Sequence, residues 1–189
     1  VTEFVTDGHL GGYIRGGDPA TFYPDLWKWI VESEGIRSVL DVGCGEGIAL
    51  DFFAELGCDV LGIEGMPQEH KAILRHDYTA GRCPMGETGV PGWGMVWSCE
   101  FVEHIEERYI DNFLIDFARA PLVLMTHAGP GQPGYHHVNC QGTEYWIGVM
   151  AANGFRYDDQ LTRVTRALAD INTDPNNHYA RSGLAFRKY

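Results

Sequence analysis

The order of apolar and polar residues in this 189-residue chain predicts an α/β fold, a mostly parallel sheet with helices on both faces. Three observations carry that expectation. Short apolar runs alternate with stretches of helical periodicity, the pattern of β-α-β units. The run Leu122-Val123-Leu124-Met125 is apolar without a break, as expected of a strand covered on both sides. The length suits one domain with a real hydrophobic core and leaves little room for a second.

The first 23 residues hold Gly8, Gly11, Gly12, Gly16 and Gly17, too many glycines for a stable helix. Pro24 suits a first helical turn, and Leu26, Trp27, Ile30 and Val31 recur at helical spacing. A helix is therefore expected over 24–34, ending near Gly35. Ile36–Val42 reads as the first strand and Gly47–Leu56 as a helix. Asp59–Ile63 makes a second strand, followed by a short helix after Pro67 and a third strand at Ile73–His76. Gly and Pro crowd residues 80–94 and 128–142, which reads as two long loops. Between them come a strand at Met95–Cys99, a helix at Glu106–Ala118 and a strand at Leu122–Thr126. Thr143–Asn153 reads as a helix closed by Gly154, with last strands at Phe155–Tyr157 and Gly183–Arg187. Residues 160–171 form an inserted helix, and 172–177 a turn-rich linker.

Composition excludes several classes. Apolar residues make up 44% of the chain, which argues against disorder, yet no run reaches the roughly 18 apolar residues of a membrane span. The N-terminus carries Glu3 and Asp7 instead of a basic, then apolar, signal, so a cytoplasmic location is expected. Five cysteines, Cys44, Cys58, Cys83, Cys99 and Cys140, match neither a disulfide framework nor a zinc site and read as reduced, mostly buried thiols. The net charge of −12 disfavours a long nucleic-acid partner, since such binding needs clustered Lys and Arg. Only Arg156, Arg163 and Arg166, with Arg181, Arg187 and Lys188 later, approach a cluster.

The sharpest signal follows the first strand, in Asp41-Val42-Gly43-Cys44-Gly45-Glu46-Gly47. Glycines there let a ligand approach the backbone, at the strand end where open α/β sheets bind their ligands. A dinucleotide loop needs G-x-G-x-x-G, but the sixth position from Gly43 is Ile48, and Glu46 puts a carboxylate where a pyrophosphate would sit. Asp41 suits instead the cationic amino group and sulfonium of S-adenosylmethionine.

At these residues the sequence resembles the class I S-adenosylmethionine-dependent methyltransferases. The resemblance spans residues 36–128 and implies a Rossmann-like, seven-stranded sheet with its last strand antiparallel. It implies that Asp41, Gly43 and Gly45 hold the methionine moiety, that Cys44 between them also belongs to the cofactor site, and that Glu64, closing the second strand, accepts the ribose hydroxyls. By itself Glu64 reads equally as a solvated acid; its place 17 residues after Gly47 favours the cofactor. Met66 would lie on the adenine face. Asp77 would accept the adenine amine, and backbone oxygens at Ser98 and Cys99 would meet the amino-acid end.

Next comes Glu100-Phe101-Val102-Glu103-His104. On a helical turn, Glu100, Glu103 and His104 would share one face. This E-x-x-E-H segment is similar to that of ubiquinone-pathway and small-RNA O-methyltransferases. The likeness implies a divalent cation (magnesium, manganese or zinc) held by Glu100, Glu103, His104 and a further histidine. His136 or His137 would supply that ligand, with His127 as another source. A cation lowers the pKa of an attacking hydroxyl and directs it. Without one, His104, His136 or His137 would act as a general base, or the Glu-His pair would cap a helix and shape the pocket. His9, His70, His76 and His178 read as surface histidines.

Tyr13, Phe22, Tyr23, Trp93, Trp97, Tyr135 and Trp146 sit in or beside the segments expected around the pocket mouth; Trp27 and Trp97 read as core. Others would stack on a sugar or planar molecule. Residues 8–23 are expected to close over the cofactor as a lid. The expectation is a methyltransferase that O-methylates a small molecule or saccharide. An RNA 2′-O-methyltransferase and a non-catalytic cofactor-binding module are the alternatives.

Overall fold

Apolar side chains alternate between two faces along each central strand, and two layers of helices cover them. The computed structural model describes residues 3–85 and 92–189. Its elements are β1 (Phe4–Thr6), β2 (Gly12–Ile14), α1 (Pro24–Glu34), β3 (Ser38–Val42), α2 (Ile48–Glu55), β4 (Asp59–Glu64), β5 (Ile73–Arg75) and β6 (Met95–Ser98). There follow α3 (Ile110–Phe117), β7 (Leu122–Met125), α4 (Thr143–Ala152), β8 (Phe155–Tyr157), α5 (Asp159–Ala169), α6 (His178–Ser182) and β9 (Leu184–Lys188).

Seven strands form one sheet in the order β5-β4-β3-β6-β7-β9-β8. The five strands from β5 to β7 in that order are parallel, and β9 runs antiparallel to both β7 and β8. The expected architecture is therefore the observed one. The chain moves outward from β3 to β4 and β5, then returns to β6 on the other side of β3. That reversal opens a crevice beyond the carboxyl ends of β3 and β6, where such sheets bind ligands.

Period-2 alternation sorts the core. Val39, Met95, Trp97, Leu122 and Leu124 face a cluster built from α1 and α5. Their neighbours Leu40, Val42, Val96, Val123 and Met125 face α3 and α4. α1 begins with Pro24 and ends at a left-handed Gly35, burying Leu26, Trp27, Ile30 and Val31, as its periodicity predicts.

Several local expectations fail. No helix follows Pro67; residues 65–72 form bends and turns, leaving β4 to reach β5 directly. The helix expected from Glu106 starts only at Ile110, after a 3-10 turn at Glu107–Tyr109. The glycine-rich start contains an antiparallel hairpin, β1 with β2, whose long-range role no local pattern announces. α6 also has no periodicity to reveal it; the side chain of Asn177 caps it by accepting from the Ala180 amide. The part of the first long loop at 86–91 lies outside the described residues. Among the described residues no helix is long and apolar enough to cross a membrane, and the five cysteines are free thiols.

Trp97 is the centre of the α1 side, stacked on Tyr179 at 5.2 Å and edge-on to Trp27 at 5.7 Å. Trp97→Ala should lower the unfolding free energy by about 3–5 kcal/mol, the usual cost of a large buried aromatic, measured by urea denaturation.

Candidate active site

A cavity of about 370 Å3 opens at the ends of β3, β4 and β6. Its floor is the glycine loop. Gly43, Gly45 and Gly47 have φ of 79°, 54° and 88°, values that favour glycine. At Gly43 a Cβ would lie 2.6 Å from Phe101, so the missing side chain is also a seat for that ring. The amides of Gly43 and Cys44 donate to the Ile63 carbonyl, and the Gly45 amide donates to Glu64 Oε2 at 2.9 Å. These bonds stitch the loop to β4. Cys44 lines the cavity while its Sγ packs over Gly62.

Three carboxylates expected at the site do face the cavity: Asp41, Glu64 and Asp77. Burial, then the charge of Glu64, pushes Asp41 well above the usual carboxylate range. Burial also raises Glu64, partly offset by amides of Met66, Gly45 and Gly65. For Asp77 burial is outweighed by hydrogen bonds from His9 and Thr79, which bring it below its ordinary value. Two other expectations are corrected. Met66 is buried outside the cavity lining, its amide donating to Glu64 Oε1 at 3.0 Å. Ser98 is turned inward: its hydroxyl donates to the Val42 carbonyl at 2.9 Å and its own carbonyl accepts from the Thr126 amide, so Cys99 alone of that pair lines the cavity.

The N-terminal hairpin forms the roof. His9 Nε2 meets Asp77 Oδ2 at 2.8 Å. Leu10 lies over Gly65, and Gly11 over the His104 ring. The Gly16 amide donates to Glu46 Oε2 at 2.6 Å, with Arg15 3.9 Å from the same carboxylate. Among the described lining residues there is no Lys or Arg, which is unlike a site built for pyrophosphate.

The E-x-x-E-H segment does not form the expected helical turn. Glu100 takes φ of 54°, a left-handed conformation costly for a residue with a side chain, and only Val102–His104 make a 3-10 turn. The segment is thereby divided. Glu100 accepts from the Thr126 hydroxyl at 2.9 Å and pairs with His178 Nδ1 at 2.9 Å; His178 Nε2 lies 3.9 Å from Asp18 on the roof. His178, expected at the surface, is thus part of the cavity wall, and so are His9 and His76. His70 pairs with Asp51.

Glu103 and His104 turn to the other side, toward His137. Their ligand atoms lie within 4.8 Å of one another, and Glu100 is outside the group. Glu103 is fully buried, and neither of its side-chain oxygens has a partner among the described residues; His104 Nδ1 is likewise unpartnered. Burial, with the charge of Glu100 added, pushes Glu103 well above its ordinary value. Burial, then His137, lowers His104 to about 4, which keeps it neutral. Around Glu100, burial is outweighed by the hydrogen bond and charge of His178, so its carboxyl is lowered, and the same contact raises His178. Of the paired loop histidines, His137 lines the cavity and His136 does not. His127 is buried outside it, with Nε2 3.2 Å from the Thr143 hydroxyl.

The aromatics divide too. Tyr13, Phe22 and Tyr135 line the cavity, and Phe4 meets Tyr135 edge-on at 6.1 Å. Tyr23, Trp93 and Trp146 are buried core instead of mouth residues; Trp27 and Trp97 are buried as expected and also reach the cavity lining. His9, Asp18, His76 and His178 are among the site residues that sequence reasoning missed. Isolated polar residues in glycine- or asparagine-rich stretches carry no local signal, because their partners lie far along the chain.

No family model and no curated protein sequence matches the chain. Solved structures share its fold. A SAM-dependent methyltransferase from Archaeoglobus fulgidus aligns with a TM-score of 0.58 and 17% identity, over 92% of this chain and 96% of that one. The sugar N-methyltransferase KedS8 from Streptoalloteichus aligns with a TM-score of 0.60 and 14% identity, over 92% and 89%. The 1,6-didemethyltoxoflavin-N1-methyltransferase from Burkholderia thailandensis, solved with S-adenosylhomocysteine, gives 0.56 and 14%, over 86% and 76%. These structural neighbours are S-adenosylmethionine-dependent methyltransferases, and the fold of this chain is theirs.

Gly43→Ala should cost more than Gly35→Ala, measured by urea unfolding. Both have positive φ, a penalty of about 1–2 kcal/mol, but only Gly43 carries a packed ring where the methyl group would go. Equal losses at the two positions would show that the Phe101 seat is worth nothing.

Proposed function

We propose that this chain is an S-adenosylmethionine-dependent methyltransferase that O-methylates a hydroxyl of a small molecule or saccharide. The observation that carries the reading is Glu64: its carboxylate faces the cavity, yet it is held from behind by the amides of Gly45 and Met66. The amides of Gly45 and Met66 take two of its four acceptor sites and the Gly65 amide also leans on it, which still leaves an acceptor site for a ribose hydroxyl. A cationic donor end beside Asp41 would draw its raised carboxyl back toward the ionised form, and Gly43 and Gly45 let the donor approach the backbone. The absence of Lys and Arg among the described lining residues agrees with a donor that has no phosphate. The roof over 8–23 is proposed to open for exchange of donor and product, in the cytosol.

Toward the acceptor, Glu103, His104 and His137 fit a divalent cation. The donor set mixes a carboxylate with imidazoles, and the partnerless oxygens of Glu103 are costly in a buried site without a positive charge. When bound, such an ion would supply polarisation of the acceptor hydroxyl. His178 has its Nδ1 on Glu100 and, in its neutral form, offers Nε2 as the proton acceptor; because that contact raises His178, the neutral form is favoured toward higher pH. The acceptor oxygen attacks the methyl carbon, the carbon–sulfur pair returns to sulfur, and the proton moves to imidazole. Tyr13 and Tyr135 offer flat faces for a sugar or ring. Two of the basic residues nearest to a cluster are paired with acids: Arg187 with Glu34 and Asp158, and Arg163 with Asp159.

Two measurements test the reading. S-adenosylhomocysteine should bind the wild-type chain in calorimetry, and Glu64→Ala should weaken it about 100-fold, the loss of roughly 3 kcal/mol for a hydrogen bond to a charged group. Manganese or zinc should raise the wild-type melting temperature by several degrees, since binding at 100-fold excess over Kd adds about 2.7 kcal/mol. Glu103→Gln should abolish that rise. An equal rise in the variant would remove the ion from the reading.

A further inference from the structure

The carboxylate of Asp77 is nearly saturated by the protein itself. Its Oδ1 accepts from both the amide and the hydroxyl of Thr79, at 2.8 and 2.7 Å. Its Oδ2 accepts from His9 Nε2 at 2.8 Å. An ionised carboxylate offers about four acceptor sites. Three are taken, and one remains, on the oxygen that His9 holds. His9 and Asp77 both line the cavity, and Leu10, beside His9, packs over Gly65, where a Cβ would lie 3.0 Å from its Cδ2. The apolar wall expected from Met66 is absent from the lining, and Leu10 stands on that side of the cavity instead.

We propose that His9 is a positioning residue of the nucleobase subsite: by fixing Asp77 it leaves one acceptor site for the exocyclic amine of adenine and so selects an amino-purine. The inference rests on the donor reading above, and it adds the N-terminal hairpin to the binding site as a wall with its own specificity. A purine with a carbonyl oxygen in place of the amine brings a second acceptor to Asp77, and two acceptors repel without a proton between them. Loss of His9 leaves Asp77 tied to Thr79 through Oδ1 only, so that Oδ2, the oxygen with the open acceptor site, is no longer held and the discrimination shrinks more than the binding of either nucleoside in isolation. Removing Leu10 has a different effect: an apolar wall serves both purines alike, so its loss weakens both equally.

The test uses the full chain, with S-adenosylhomocysteine and its deaminated analogue, S-inosylhomocysteine, as probes in calorimetry. The wild type should prefer S-adenosylhomocysteine by about tenfold or more, the worth of one hydrogen bond to a charged, partly exposed carboxylate. His9→Ala should weaken S-adenosylhomocysteine about tenfold, leave the analogue nearly unchanged and so collapse the preference. His9→Gln, whose amide can still donate, should restore part of it. Leu10→Ala should weaken both probes and keep their ratio. An unchanged ratio in His9→Ala, or tighter binding of S-adenosylhomocysteine, overturns the proposal; the second result would make His9 a competitor of adenine. A wild-type chain that binds neither probe overturns the donor reading itself, which is a separate result from binding without discrimination.

Discussion

The contact between Phe101 and Gly43 holds the two halves of the site together. A Cβ at Gly43 would meet the ring at 2.6 Å, so the close approach exists only because that side chain is missing. Phe101 also packs edge-on against Tyr78 and Phe113, at 5.7 and 5.3 Å. One ring therefore joins the glycine loop after β3, the segment after β5 and the helix α3. With Phe101 seated there, the chain leaves β6 through a left-handed Glu100 before the 3-10 turn that carries Glu103 and His104. The conformational cost at Glu100 is offset by packing on both sides of it, and its result is a division of labour. One carboxylate faces α6 and the other faces the loop that bears His137.

This division sets the electrostatics. Glu100 lies between a threonine hydroxyl and an imidazole, so its charge is compensated and its carboxyl is lowered. Glu103, three residues on, has backbone partners only through its own carbonyl, which accepts the amides of Val138 and Asn139. Those two bonds fix the loop that carries His137, while the Glu103 carboxylate oxygens find no hydrogen-bond partner among the described residues although Glu100, His104 and His137 are close by. Identical side chains three positions apart thus end in opposite states. The cause is the turn between them, not the spacing.

Much of the fold was legible, and for a physical reason. Strands of a doubly covered sheet are apolar on both faces, and α1 shows helical spacing between a Pro and a Gly, so local sequence carries most of the information. The glycine loop was legible because backbone shape there demands glycine at Gly43 and Gly45. Asp41, Glu64 and Asp77 follow from strand ends. What could not be read was anything depending on pairs far apart in the chain. His178 meets Glu100 across 78 positions of sequence, and His9 meets Asp77 across 68. The helical reading of the E-x-x-E-H segment failed because its spacing was right for a helix while the packing of Phe101 favoured another backbone. Met66 was misplaced too: its amide is what Glu64 uses, and its side chain is buried outside the cavity lining.

The roof shows how far such distant pairing governs the site. Residues 7–18 touch the three separate walls through polar clasps: His9 on Asp77, Gly16 and Arg15 on Glu46, and Asp18 near His178. Each clasp ends on a residue that also faces the cavity. Exposed pairs of this kind contribute little to stability one at a time, at most about 1 kcal/mol. Several weak clasps in place of a packed interface fit the proposed lid, for which the glycines at 8, 11, 16 and 17, all with positive φ, would serve as hinges. Weak attachment at many points is what a cover over an exchangeable ligand requires. A roof packed into the core would be stronger and would close the cavity for good.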